Sequence, residues 1–415
     1  MGLIQKLFIN LTKNLTINKA KYIFLIFSFS PLLFVLLLIR PFVLLRFGSL
    51  GVQRIGAISL YEQYLLINKD NKTKKNLIDL WVINKPICNK QLLTIYKRHF
   101  LIINRLFAFY KILIIISKYI PIYSKHIIIV PDTYYAKTLF NKYSSQLRLT
   151  RKEIEMGETK LADFGIPHNA KIICITSRDQ SYLKKKYPSK SFLYHNYRNI
   201  SAKNYTSTIK TLIKKKFYVI RMGKIADKKI NIKNDKFIDY PFHPSKNDFM
   251  DFFFAHRCYF WVCSNNGLDE IAKVFRKPLI DSNMAQLVGL KTTYKKALLC
   301  LKIYKNSKNK KMSLSKIFDS GAGNSASTNE FKRKKIKLKE LTQSQLKDLV
   351  LEMLILMKNA WEIKTTKDIK LQKKFEELFL NKIKNIDTHD ASSYKKVNAV
   401  YSAAFLKKNP WFLRK

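Results

Sequence analysis

Three apolar runs in the second half of the chain each stop on residues able to hold an anion or move a proton. The segment CYFWVCSNNGLDEIAKVF carries an apolar strand into Ser264, Asn265, Asn266 and Gly267 and then opens a helix. Free N–H groups at a helix start attract phosphate, and glycine permits close backbone approach. The serine and asparagines add side-chain hydrogen bonds for a diphosphate or a sugar, although the same residues also suit an ordinary N-cap and turn. CITSRDQSYL ends on Arg178 and Asp179. There a planar guanidinium can grip phosphate and a carboxylate can accept a hydroxyl proton, unless the two simply form a surface ion pair. FYVIRMGK offers Arg221, Gly223 and Lys224 at a third strand end. Three such edges on one sheet say more than any one, because parallel sheets bind ligands beyond their C-terminal strand ends.

The irregular segment Tyr194, His195, Asn196, Tyr197, Arg198 and Asn199 mixes rings with polar groups. It suits stacking on a base or sugar, or plain loop packing. Asp248 and Asp251, three apart at a helix start, favour the helix dipole over chemistry. The chain has no Asp-x-Asp, no GxxxxGK[ST] and no complete GxGxxG, which argues against a metal–diphosphate clamp, a P-loop ATPase and a dinucleotide enzyme such as an epimerase. Neither the seven histidines nor Cys88, Cys174, Cys258, Cys263 and Cys300 show zinc spacing, so no metal is expected and the cysteines read as buried thiols in a reducing compartment. Charge developing on a leaving group would then be met by Arg, Lys and helix N-termini.

Positioning these residues requires an α/β framework. A strand at 42–47 runs into a loop with Gly48, Gly51 and Gly56, then a helix at 59–67, a strand at 77–83, helical sequence from 89, and a strand at 126–130 ended by Pro131. Residues 150–169 turn polar and read as a connection. A second alternation follows, with strands at 171–176, 217–221, 236–240, 258–263 and 278–281 and helices at 204–216, 247–256 and 267–275. Strands that are apolar throughout, without period-two alternation, indicate a parallel sheet covered on both faces. Residues 320–328 (SGAGNSAST) read as a mobile loop and 332–339 (KRKKIKLK) as a solvated linker. Helices at 342–361, 367–386 and 393–406 close the chain. The implied division is an N-terminal basic and hydrophobic segment (1–40), a first α/β domain (41–155), a second (156–330) and a C-terminal helical segment (331–415).

Lys and Arg number 78 against 28 Asp and Glu, a net charge of +50 that would draw the chain to nucleic acid, anionic lipid or a phosphorylated substrate. An AT-rich coding sequence would give the same excess of Lys with Ile and Asn. The lysines are spread through every segment instead of being gathered on one helix, so nucleic acid is not expected as a partner and a nucleic-acid-binding or scaffold protein is the alternative. Residues 22–39 (YIFLIFSFSPLLFVLLLI) carry no charge and are flanked by Lys21 and Arg40, at the lower limit for spanning a bilayer. Basic residues on both sides suit a monotopic or re-entrant anchor, and a buried core helix is the other reading.

RFGSLGVQRIG, CITSRDQSYL, YHNYRNIS, FYVIRMGK, FIDYP, DFMDFFF, FWVCSNNGLD with VFRKP, and AVYSAAFLKKNP together resemble a bacterial glycosyltransferase family associated with surface-polysaccharide gene clusters. The resemblance spans roughly residues 46–412, in order. It departs at Ala57, where members often carry His. It implies a GT-B-like architecture of two Rossmann-like domains with parallel sheets facing a cleft, preceded by a hydrophobic anchor helix. It also implies a nucleotide-sugar donor, no further cofactor, and a lipid-linked or glycan acceptor at the cytoplasmic side of the inner membrane. On that resemblance Ser264 to Gly267, Arg178, Arg221 and Lys224 hold the donor diphosphate, with His195 and Arg198 beside it. Asp179 is the candidate base, Glu62 and His99 are alternatives, and Gly48 and Gly51 shape the acceptor-side loop.

Overall fold

The computed structural model describes residues 17–71, 76–264, 266–384 and 394–414, with side chains from residue 24 onward. The chain forms two compact units, Met1–Pro131 and Asp132–Lys415.

In the first unit, strands β1 (Leu44–Leu50), β2 (Leu77–Ile83) and β3 (Leu101–Ile102) lie parallel in that order. The expected strand at 126–130 shrinks to a single parallel bridge between Phe47 and Ile127. The segment leaves a 3-10 turn at Pro121–His126 and meets Pro131, which leaves too little chain for a ladder. The N-terminal helix Ile17–Ile39 buries Leu33 and Leu36 against Phe47, Leu80, Phe109, Ile112 and Leu113. Its Phe24, Phe27, Phe34, Val35 and Leu38 stay exposed. Among the described residues no helix is long and apolar enough to cross a membrane.

The second unit is built on β4 (Ile172–Thr176), β5 (Tyr218–Met222), β6 (Phe237–Asp239), β7 (Phe260–Cys263), β8 (Leu279–Met284), β9 (Ala297–Leu301) and β12 (Val400–Tyr401). The sheet order is β12-β9-β8-β7-β4-β5-β6, parallel throughout. Every residue of β4, β7 and β9 is buried, as continuous apolar runs require, and so is every residue of β8 although it includes Asp281, Ser282 and Asn283. A separate antiparallel ribbon pairs β10 (Ile303–Lys305) with β11 (Lys337–Lys339). The charge run 332–339 is therefore not a linker: it ends the helix Thr328–Arg333 and supplies β11.

Chain between 132 and 159 belongs to the second unit and does not link the two. Thr150 caps the helix Arg151–Thr159 in a reciprocal box with Glu153. Gly157 lets that helix approach Phe253 so closely that a Cβ would stand 1.9 Å from the ring, and Arg257 bonds Glu158 at 2.8 Å. The last expected helix, 393–406, is instead β12 followed by a short helix, Ala403–Lys408.

From β4 the chain adds β5 and β6 on one side, then returns to place β7, β8, β9 and β12 on the other. The connections leaving β4 and β7 diverge, so a crevice opens beyond the C-terminal ends of this pair. That is where open parallel sheets take their ligands.

Candidate functional site

Two residues beyond β4 and one beyond β7, Arg178 and Ser264 face each other across the divergence. The Ser264 hydroxyl donates to the Thr176 carbonyl at 2.9 Å and accepts from the Arg178 N–H at 3.1 Å. Fully buried, it ties the two strand ends together. Asn266 accepts the N–H groups of Leu268 (2.9 Å) and Asp269 (3.4 Å), which is the capping-turn alternative. Gly267 lies within that turn, and the helix it precedes, Asp269–Val274, is only six residues long. Asn265 falls outside the described residues.

The Arg178 side chain turns to the segment 193–204. Its Nη1 donates to Asn199 Oδ1 at 2.6 Å and to the His195 carbonyl at 3.2 Å. The same segment is gripped from β9. Lys302, next after that strand and 4% exposed, donates from Nζ to the Asn199 carbonyl at 2.7 Å. Glu340 accepts from the Ser201 N–H (3.0 Å) and the Asn204 amide (2.6 Å). The Thr328 hydroxyl lies 3.0 Å from the Tyr194 carbonyl and accepts from the Tyr197 N–H at 3.2 Å. Leu287 donates to the Gly323 carbonyl at 2.8 Å, joining the loop after β8 to residues 320–328. Of the small residues at 320–328, Thr328 is the one that bonds the 193–204 segment. His195 and Arg198 belong to the segment, and the Arg198 charge is felt at Arg178.

The electrostatics are one-sided. Burial, then the Arg198 charge, pulls the Arg178 guanidinium down to about 10. Burial pulls the Lys302 ammonium down to about 8, with Glu340 opposing and Arg178 adding to the fall. Among the described residues no carboxylate pairs with either cation within 4.0 Å, and their hydrogen-bond partners are neutral oxygens. Ser177 Oγ, next to Arg178, and Asn283 Nδ2, one residue before the Met284 carbonyl that accepts the Lys302 N–H, are buried without a hydrogen-bond partner, as are Asn324 Oδ1 and Ser325 Oγ in the 320–328 loop. Asn283 also sits at a positive φ of 56° beside a bulge in β8. Unsatisfied buried polar atoms and strained backbone are each costly, and they gather where a ligand repays them.

The other sequence candidates are placed elsewhere. Arg221 lies within β5 and not beyond it, 2% exposed, donating to the Lys228 carbonyl at 2.7 Å and pairing with Asp239 at 3.2 Å. Asp239 stands directly opposite in the ladder, so the pair is internal to the sheet. Lys224 pairs with Asp248 at 2.9 Å. Asp179 accepts the Ser181 N–H (2.9 Å) and the Asp227 N–H (3.1 Å), so its carboxylate fixes the turn after β4 instead of pairing with Arg178. In the first unit, Glu62 is fully buried in the helix Ile58–Asp70. His99 is exposed at the end of the helix Lys90–His99, which leads into the start of β3. It therefore lies at the sheet edge opposite to Gly51, which follows the end of β1. Gly48 admits Trp81, whose ring would meet a Cβ at 2.7 Å. The Gly51 N–H is bonded by the Tyr61 hydroxyl, which donates to the Ser49 carbonyl at 2.8 Å.

Among the described residues one group, Cys263, Asp269 and Asp281, brings possible metal ligands within 4.8 Å of one another. A lysine already serves it. Lys291 Nζ lies 2.7 Å from Asp269, 3.2 Å from Glu270 and 3.8 Å from Asp281. Burial still pushes the Asp281 carboxyl up to about 6.

Lys302, Asn283, Ser325, Thr328 and Glu340 were not singled out from sequence. Only Lys302 left a signal there, as a lone cation inside the apolar stretch ALLCLKIY.

No family model matches the sequence. No curated protein matches it either. Among solved structures, one described as "Structure of E. coli ADP-heptose lps heptosyltransferase II" is similar with a TM-score of 0.45 and 10% identity, covering 76% of this chain and 100% of that one. At that level the likeness carries no argument about what this chain does.

Proposed function

We propose that the chain is a glycosyltransferase that takes a nucleotide-sugar donor at the crevice between the ends of β4 and β7 and passes the sugar to a glycan or lipid-linked acceptor. The observation that carries this reading is a pair of cations, the buried Lys302 and the half-buried Arg178, with only neutral oxygens as partners. Burying a charge without an opposite one is expensive, and a diphosphate is an anion suited to two cations at the C-terminal strand ends of a parallel sheet. Fixed cations that meet the charge developing on a departing nucleoside diphosphate would do the work of a divalent ion. The sequence resemblance favours glycosyl transfer over other nucleotide chemistry. For the base, Asp179 stands beside Arg178, while Glu62 and His99 belong to the first unit. The exposed apolar side of the helix Ile17–Ile39 and the +50 charge support attachment to an anionic membrane, which we assign to the cytoplasmic face of the bacterial inner membrane.

Thermal unfolding against a panel of nucleoside diphosphates and nucleotide sugars tests the reading. One nucleotide should raise the midpoint selectively, by about 2.7 kcal/mol of stabilisation at a hundredfold excess over its Kd. The Arg178→Met variant should lose the shift. Stabilisation by nucleic acid alone, falling steeply with salt, would favour the basic scaffold instead.

A further inference from the structure

Two cations from strand ends three positions apart in the sheet converge on one residue. Arg178, after β4, donates to the side-chain oxygen of Asn199, and Lys302, after β9, donates to its main-chain oxygen. These are the amide and carbonyl oxygens of a single asparagine, separated by a few bonds, and each meets one cation. Two phosphoryl oxygens of a diphosphate are spaced comparably and carry the charge that Asn199 lacks. We propose that Arg178 and Lys302 form one anion-binding pair, occupied here by the two oxygens of Asn199, which takes the diphosphate of the donor in their place. The inference rests on the donor-site reading and adds Lys302 as a diphosphate ligand.

The surroundings fit this role. Lys302 is faced by Glu340 from the end of β11 and by Arg178 from the end of β4, and Arg178 in turn by Arg198, Tyr197, Asp179 and Tyr194. Glu340 is the single acid in this set facing Lys302, and it is engaged by Ser201 and Asn204. Burial holds the ammonium near half-protonation at about pH 8. An arriving dianion favours the protonated form, so binding takes up a proton and weakens as pH rises past that point.

Methyl diphosphate is the probe, since it has no nucleoside and its terminal phosphate has finished ionising by about pH 7.5. Its affinity is measured calorimetrically at pH 7.5 and 9.5 for the full chain and for Lys302→Met, Lys302→Arg and Lys296→Met. Lys296 lies before β9, at the opposite sheet edge, and controls for the general basic charge. The wild type should bind at least tenfold more weakly at pH 9.5. Lys302→Met should lose at least tenfold at pH 7.5 together with the pH dependence. Lys302→Arg should keep the affinity and lose the pH dependence, which also rules out a folding defect at that position, and Lys296→Met should match the wild type. Wild-type affinity and pH dependence in Lys302→Met would overturn the pair even if nucleotide sugars bind. Lys302-dependent binding of methyl diphosphate with no gain from any nucleoside would uphold the pair and sink the donor reading.

Discussion

Lys302 carries a cost that shows in stability. Its ammonium titrates at about 8 in the folded chain, against about 10.4 when unfolded, which amounts to about 3 kcal/mol against folding at neutral pH. A folded-state value below the unfolded one makes that cost complete below pH 8 and lets it fade as pH rises towards 10.4. Lys302→Met, after losing one hydrogen bond worth about 1 kcal/mol, should therefore be about 2 kcal/mol more stable at pH 7. The gain should shrink at pH 10, read by urea unfolding at both values. Arg221 should behave oppositely. Removing it with Arg221→Ala leaves the half-buried Asp239 with the Ile230 N–H but without its cation and should cost about 3 kcal/mol, while a variant still folded at low temperature should bind nucleotide as the wild type does. Sequence could not separate Arg221 from Arg178. Both stand at the end of an apolar strand, and what distinguishes them is an acid opposite Arg221 in the ladder, a partner 18 residues away that only register reveals.

At the scale of elements, continuous apolar runs made the central strands legible, and the helix starts expected at Asn247 and Thr342 fall on residues whose side chains cap those helices. The expected strand at 278–281 stops short of the end of β8 at Met284, because Ser282 and Asn283 look like a loop and Asp281 marks their start. They are buried strand residues: the Ser282 hydroxyl donates to the Cys263 carbonyl and Asn283 Oδ1 accepts the Leu341 N–H, while Asn283 Nδ2 has no partner. The polar composition of 150–169 predicts a connection, and the helix Arg151–Thr159 inside it is hard to read because it buries only a glycine. Its packing supplies a contrast between two glycines. Gly157→Ala drives a methyl into Phe253 and should destabilise by about 1–3 kcal/mol through overpacking. Gly165→Ala meets nothing within 4 Å but keeps a φ of +63°, so its cost of about 1 kcal/mol comes from backbone conformation alone. Denaturant midpoints of the two variants check both figures.

For the molecule as a whole, the charge and the apolar helix act on the same surface question. Phe24, Phe27 and Phe34 are each more than 60% exposed, and water does not hold such a face without a partner. The protein should float with vesicles containing anionic lipid. Replacing the three phenylalanines by serine should release it at physiological salt with the second unit still folded; retention of all binding would move the attachment to the basic surface alone. The α/β class and its parallel sheet were legible at this scale, because they follow from the alternation of apolar runs. The crevice was not, since it depends on β7 returning to the side of β4 away from β5, which no local pattern encodes. The central claim is that this crevice holds the donor diphosphate. Amide hydrogen exchange, with and without the nucleoside diphosphate that stabilises the protein most, tests it directly. Exchange should change in residues 177–204, in the turn after β7 and in residues 320–328, with the first unit unchanged. Changes confined to other surfaces, or none at these strand ends, would contradict it.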